Sequence, residues 1–429
     1  MTQVQNIKPG YKLTELWVIP EDWIIGKFLD IADKRIKWSI TGWPFWSNLK
    51  KEDYTEEWIQ IIQLQNIGDW QFIDDNQVYT SLKKAKELLS CNIYPNELIL
   101  SKMGDPVARA CFMPNKSERY LMASDWIRVV VDEKRFSKKF IHDYINSNYF
   151  RKRAFAVSTW STRLRIWLPE LKDLLIVRPH ISEQSAIATI LSDTDILIEH
   201  LDTLIEKKKS IKLGTMQQLL TGKKRLSGFS GEWVEKRLWD LAQFYKWRGL
   251  PKSDILLDWE HKCIHYWELF TTYQEEIHEV KSKTNKFEDV FLSRKNDVLM
   301  PTSDVTPNWL AKASCINEDS CILWGDVLVI RCDIGFMDWI FLAYSIRFDK
   351  KQIMQLVSGS TVYHLYWSDM KKFEIKIPPT IKEQIAIVKV LWDMDKEIND
   401  LESKRDKYKN IKQGMMQQLL TGNIRVYAN

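Results

Sequence analysis

From Ile187 apolar residues recur at alternating four- and three-residue steps, at Ile187, Leu191, Ile198, Leu201 and Ile205. A second series reads Ile387, Leu391, Met394, Ile398 and Leu401. Charged residues fill the other faces, so each series predicts a heptad-like stripe on a long amphipathic helix. Pro179 followed by Ser182 and Glu183 is a start signal for the first helix. Gly214 and Gly414 are expected to end or interrupt the two helices. Elsewhere the pattern is shorter-ranged. Residues 58–64, 97–100 and 126–131 read as strands, as do 297–300, 326–331 and 373–377. Lys138–Ser147 and Trp339–Phe348 read as helices. Residues 24–180 and 234–379 are therefore each expected to fold as an α+β domain.

The two helical series belong to an internal repeat. Residues 181–226 and 381–426 align without a gap at an offset of 200, with about half the positions matching. Glu183/Glu383, Gln184/Gln384, Asp193/Asp393 and Asp195/Asp395 pair up, and the ends Gly214–Gly222 and Gly414–Gly422 are nearly identical. The register continues upstream through Tyr144/Tyr344, Val157-Ser158/Val357-Ser358, Trp167/Trp367 and Pro179/Pro379. A weaker echo, at an offset of 210, relates Asp22-Trp23 and Lys27–Ala32 to Glu232-Trp233 and Arg237–Ala242. Outside these segments the halves barely resemble each other. The frame must serve both halves alike, while the interiors differ.

The repeat divides the chain into a first domain (1–180), a central helical region (181–226), a second domain (227–379) and a closing helical region (380–429). Each stripe wants a partner, and the two helices match in length. They are expected to pair as an antiparallel coiled coil, a rod of about 30 residues and roughly 45–50 Å at 1.5 Å per residue. The competing expectation is that each helix caps the core of its own domain; the broad, charged polar faces favour the rod. The fold class expected is α+β: two globular domains separated by two long helices, with a pseudo-twofold internal repeat.

Composition narrows the function. With 45% hydrophobic and 28% charged residues the chain can bury real cores. A net charge of +5 permits nucleic-acid binding without demanding it, so any phosphate-binding surface must come from local sorting. The 20 tryptophans exceed what one core needs; burial is expected to take the larger share of them. The cysteines, Cys91, Cys111, Cys263, Cys315, Cys321 and Cys332, form no Cys-x-x-Cys pair or secreted disulfide framework. No apolar signal core opens the chain and no run approaches a membrane span, so a cytoplasmic protein with reduced thiols is expected.

Catalytic sets are hard to assemble. Ile377-Pro378-Pro379-Thr380 lacks the polar leader and the aromatic of an adenine methyltransferase motif. Gly214–Lys223 fails as a phosphate loop: Gln217 stands where glycine is needed, and no Ser or Thr follows Lys223. Asp254, Glu260 and Lys262 mimic a nuclease set at too short a spacing. His261, Cys263 and His265 alternate and could face one side of a strand as zinc ligands. The plainer reading is a half-buried strand running into Tyr266 and Trp267. No catalytic residue and no metal site is expected.

The Glu-Gln-x-Ala-Ile helix opening, the heptad helix and the Gly-x-Met-Gln-Gln-Leu-Leu-Thr-Gly close resemble the repeated regions of specificity subunits of type I restriction–modification systems. The order of domain, helix, domain, helix is similar across nearly the whole chain. Weaker local likenesses are Glu21-Asp22-Trp23, Glu97–Gly104 and Cys263–Trp267. The resemblance implies two target-recognition domains, each reading one part of a split, asymmetric double-stranded DNA target. It also implies that the helices set the spacing and dock two methyltransferase subunits, with restriction subunits joining the complex. S-adenosylmethionine and ATP with Mg2+ would then belong to those partners, and this chain would hold no cofactor and carry no catalysis. A stand-alone nuclease and a coiled-coil protein scaffold are the alternatives.

Base readout needs Arg, Lys, Ser, Thr or amide side chains at base edges, with further cations on phosphates. The richest sorting in the first half is Arg151-Lys152-Arg153, then the Ser/Thr-rich run from Ser158 and Thr159 to Arg163, then Arg165. At the same point of the second half stand Lys350 and Lys351, then Ser358, Ser360, Thr361 and His364. Lys102, Arg109, Arg294, Lys295 and Arg331 complete the candidates.

Overall fold

The computed structural model describes residues 7–42, 49–123, 125–160, 163–246, 260–287, 290–332 and 335–426. The chain divides into two compact units. The first comprises Met1–His200 and Lys404–Asn429, the second Leu201–Ser403. The division runs through the two long helices rather than between helix and domain.

Each unit is α+β. In unit 1 a four-stranded sheet has the order Ala110–Phe112, Leu98–Ser101, Trp126–Val129, Ile40–Gly42, all antiparallel. A five-stranded sheet lies beside it in sequence, built from residues 54–122. In unit 2 the corresponding strands run Ser314–Ile316, Val298–Pro301, Val327–Cys332, Ala242–Lys246, with Glu276–Ile277 added at the edge. Its other sheet has four strands, from residues 261–323. The helix Lys138–Asn146 corresponds to Trp339–Phe348, and Asn148–Ala156 to Lys350–Leu356. The repeat therefore extends into the interiors, where the sequences share almost nothing.

The helices run Ile181–Leu219 and Ile381–Leu419, 39 residues each, or about 58 Å. Both continue through Gly214 and Gly414, so the expectation that these glycines stop the helix is corrected. A Cβ at either position would meet nothing within 4 Å, and the helix absorbs an exposed glycine at about 1 kcal/mol. The stop comes at Gly222 and Gly422, both at positive φ, +69° and +77°, where a left-handed residue closes a helix. Thr221 and Thr421 each donate back to the carbonyl four residues earlier.

The stripe residues are all buried or half-buried, and the two expectations for the helices apply to different parts of them. In unit 1, Ile187 and Leu191 join the domain core together with Met416, Leu419 and Leu420 from the far end of the other helix. In unit 2, Ile387 and Leu391 do the same with Met216, Leu219 and Leu220. Each helix start thus caps its own domain, and the end of the other helix packs antiparallel onto it. Ion pairs follow the same register. Unit 1 has Arg425–Glu183 and Lys412–Asp195. Unit 2 has Arg225–Glu383, Lys212–Asp395, Lys208–Glu397 and Lys209–Glu402.

This packing accounts for the repeated motifs. Gln184 accepts from the backbone N–H of Ser137, the cap of the helix at 138, and donates to the carbonyls of Arg135 and Pro179. Gln384 accepts from the N–H of Asp338, the cap of the helix at 339, and donates to Phe336. Glu183 and Glu383 are the buried carboxylates that receive the arginine arriving from the other helix. The glycines at 222 and 422 lie under Trp233 and against Pro20 and Trp23.

Trp23, Trp126, Trp324 and Trp339 are buried, Trp17, Trp70, Trp233, Trp267 and Trp392 are half-buried, and Trp38, Trp58, Trp167, Trp239, Trp309 and Trp367 stay exposed, so among the described side chains burial, whole or partial, takes the larger share. All six cysteines are buried. Among the described residues no helix is long and apolar enough to cross a membrane.

Candidate nucleic-acid interface

In unit 1 the strand Leu98–Ser101 leads into a loop that returns at Arg109, where the Arg109 N–H meets the Ser101 hydroxyl and the Ser101 N–H meets the Arg109 carbonyl. A two-stranded hairpin, Thr159–Trp160 with Leu164–Arg165, docks on this loop through a bridge between Met103 and Arg165. Backbone bonds Gly104 N to Leu164 O and Ile166 N to Lys102 O fix the contact at 3.2 and 2.9 Å. Lys102, Arg109, Thr159, Arg163 and Arg165, scattered in sequence, are thereby gathered onto one loop pair.

Electrostatics distinguish the members. Burial lowers the Lys102 ammonium pKa, and the Arg165 charge lowers it further, while Asp125 pulls the other way. Arg165 pairs with Asp125 at 3.2 Å and lies over the Trp167 ring. Thr159 accepts from the Trp167 indole N–H at 3.1 Å. Arg163 and Thr159 are exposed.

Unit 2 builds the same hairpin with different residues. Ser358 and His364 exchange both backbone hydrogen bonds, 2.9 and 2.7 Å, and Ser303 pairs with His364 on the neighbouring strand. Gly359, at φ +117°, allows the turn, since a Cβ there would lie 2.2 Å from the Val362 carbonyl oxygen. The run read as a Ser/Thr-rich loop is thus a hairpin tip presenting Ser358, Ser360 and Thr361 to solvent. The supporting loop also differs: Leu100 pairs with Ala110, whereas Leu299 pairs with Ser314, and the extra length folds into a short helix, Pro307–Ala311.

Other candidates are not brought to this surface. Arg151 pairs with Asp69 and Asn146 beneath Trp70. Arg153 donates to the Leu175 carbonyl, and burial lowers its pKa. Arg331 is bidentate to the buried Asp297, 2.7 Å on both arms, between Tyr245 and Phe291. That ion pair raises its pKa. Unit 1 has an analogous pair, Arg128 to Glu97, with the carboxylate at the position of Asp297 and the arginine two residues earlier on its strand than Arg331. These arginines hold their own units together. Ser158 caps the preceding helix by donating to Ala154. Lys152, Lys350 and Lys351 are exposed on helices; Arg294 and Lys295 occupy a turn at the opposite end of the Val298–Pro301 strand from the hairpin.

The His261–Cys263–His265 strand is packed on aromatics. His261 lies against Phe287, Cys263 joins Ile322 and Trp324, and His265 rests on Tyr266 and Trp324. Among the described residues no group of three or more His, Cys, Asp or Glu could hold a metal ion. Of the nuclease-like set, Lys262 pairs with Glu318, and Asp254 lies outside the described residues.

Residues 230–412 match the family model of the type I restriction modification DNA specificity domain. The match falls in the second half of the repeat, and over nearly its whole length the chain is similar to specificity subunits of type I restriction enzymes. The MjaX type I restriction enzyme specificity-subunit candidate of Methanocaldococcus jannaschii is 24% identical over 97% of each chain. The MjaVIII specificity subunit of the same organism is 22% identical over 52% of this chain and 51% of its own length. Two solved structures share the fold. One, from work on complex assembly and conformational transition of a type I restriction–modification system, superposes with a TM-score of 0.58 at 13% identity, covering 95% of this chain and 99% of the other. The other, the S subunit of such a system from M. genitalium, gives 0.54 at 15% identity, covering 92% and 96%.

Proposed function

We propose that this chain reads a bipartite, asymmetric DNA sequence on behalf of methyltransferase subunits and carries no catalytic step itself. The observation that carries this reading is the contrast within the repeat: one frame, kept to single residues, supports hairpin tips whose side chains differ between the units. Two different readers on one frame recognise two different half-sites, and such half-sites lie about 34 Å apart when one helical turn separates them. The long helices fix that spacer and dock two methyltransferase subunits. The target base is buried in the duplex, so the methyltransferase flips it out, using S-adenosylmethionine held by that subunit. ATP and Mg2+ serve restriction subunits of the same complex.

Methylation mapping of genomic DNA from cells carrying the system tests this. A two-part motif is expected, with one part changing when residues 24–180 are exchanged for another reader. Absence of a split motif, or cleavage or methylation by the purified chain alone, overturns the proposal. Duplex binding that weakens steeply with salt separates it from a scaffold that touches only protein.

A further inference from the structure

Unit 1 gives many of its arginines a carboxylate. Arg35 takes Asp33, Arg128 takes Glu97, Arg151 takes Asp69, Arg165 takes Asp125, and Arg425 takes Glu183 and Asp22. Arg109 differs. Its Nε is enclosed without a hydrogen-bond partner, as are those of Arg151 and Arg165, but those two carry an ion pair through Nη2, whereas Arg109 is half-buried with no carboxylate among the described residues within ion-pair distance. Its position is nonetheless built. The Arg109 backbone is tied to Ser101 on both sides. Gly104, at φ +117°, leaves room for the guanidinium, since a Cβ there would come within 3.3 Å of Nη2.

An enclosed Nε without an acceptor is unfavourable for folding, because that N–H gives up water and gains no partner. What it lacks is a pair of acceptors arriving from outside, beside Lys102, Thr159 and Arg165 on the same loop pair. The guanidinium fork fits the O6 and N7 atoms of guanine in the major groove. Phosphates are met as well by exposed cations such as Lys152.

We propose that Arg109 is a base-reading residue of unit 1, and that it recognises a guanine in the half-site read by that unit. This rests on the DNA-reading function proposed above. The test uses the full chain with its methyltransferase partner, as wild type and as Arg109→Gln, Arg109→Lys and Arg109→Met. Genomic methylation is mapped, and binding is measured to duplexes changed one base pair at a time.

Arg109→Gln is expected to cost roughly 5- to 150-fold in discrimination at one G·C pair of that half-site, leaving the other half intact. Arg109→Lys keeps the charge and loses the fork, so it is expected to lose discrimination at the same pair. Arg109→Met is expected to keep or raise Tm, since the cation it removes is unpaired. The proposal fails if the variants leave the motif unchanged, or weaken all sequences equally as a phosphate contact would. It fails too if Arg109→Met lowers Tm as loss of a packing residue would. A wild-type complex with no split motif sinks the DNA-reading function itself; a split motif indifferent to Arg109 sinks only this inference.

Discussion

The two units clamp the incoming helix end with the same pair of residues, but not with the same redundancy. In unit 1, Glu183 accepts from the Trp23 indole at 2.9 Å as well as from Arg425, and Arg425 spreads its remaining donors onto Asp22. In unit 2, Glu383 receives Arg225 alone among the described residues, and the indole nitrogen of Trp233 is buried without a partner among them. Arg225 turns its other donors to the carbonyls of Ser230 and Gly231. A repeat can keep the residues of a contact while the load on each one changes. The duplicated arginines are therefore unequal in what their loss leaves behind.

Removing each arginine exposes this inequality. Arg225→Ala strands Glu383, whose side chain is 1% exposed, with no other donor to its carboxylate among the described residues, and is expected to cost about 3–5 kcal/mol. Arg425→Ala leaves Glu183 bonded to Trp23 and is expected to cost about 1–3 kcal/mol. Denaturant unfolding of the full chain, with hydrogen exchange resolving the units, measures both. Equal losses would show that the indole bond contributes nothing and that the units are equivalent at this clamp.

The glycines that end the helices sharpen the comparison in the other direction. Both sit at positive φ, so alanine is strained at either by about 1 kcal/mol. At Gly222 the new Cβ would be 3.0 Å from the Trp233 ring, a side chain able to yield. At Gly422 it would be 2.5 Å from Pro20 Cδ and 3.1 Å from Trp23, which is fully buried. Gly422→Ala is expected to cost about 2–3 kcal/mol and Gly222→Ala about 1–2 kcal/mol. The order of the two Tm values checks it. Here unit 1 is the more fragile.

The frame was legible because its contacts are made by identities: Glu, Gln, Asp and Gly at fixed positions meet fixed partners. The strands at 98–101 and 126–129 were legible from their apolar runs, but their equivalence to 298–301 and 327–332 was not. A β-sheet needs alternation and register, and many side chains satisfy those. Leu175–Arg178 went unread as a strand, although it pairs with Ile24–Lys27 as Glu374–Ile377 pairs with Val234–Arg237. At the candidate interface, sequence located the Ser/Thr-rich stretches, though not that they form hairpins, and could not sort the basic residues. Arg151 and Arg153 sit on one short helix in a run that looks solvent-facing; only the fold brings Asp69 and the Leu175 carbonyl to them. Arg109 was among the candidates, but nothing in the sequence set it apart from the other basic residues for the same reason.

A last difference concerns carboxylates enclosed without the clamp. Unit 1 encloses Asp143, where burial is opposed and outweighed by the His142 hydrogen bond and the Lys139 charge, so its pKa is held below the ordinary value. Unit 2 encloses Glu268 among neutral donors: the His265 backbone N–H and the hydroxyls of Ser282 and Tyr273. Burial therefore pushes Glu268 up. The two groups have opposite linkage. Asp143 contributes stability that is present above about pH 3.9 and is lost as the pH falls through its depressed pKa. Glu268 binds its proton more readily when folded, so its contribution falls as the pH rises from about 4.3 through its raised pKa. Either group changes stability by at most about 1.4 kcal/mol per pH unit. Glu268→Gln is expected to flatten the decline of unit 2 above pH 4, and Asp143→Asn to reduce the acid loss of unit 1. Hydrogen exchange of each unit across pH 3–7 reads both slopes. The same sign of slope in both units would show that Glu268 keeps its charge in the fold, and that neutral donors hold it as firmly as cations hold Asp143.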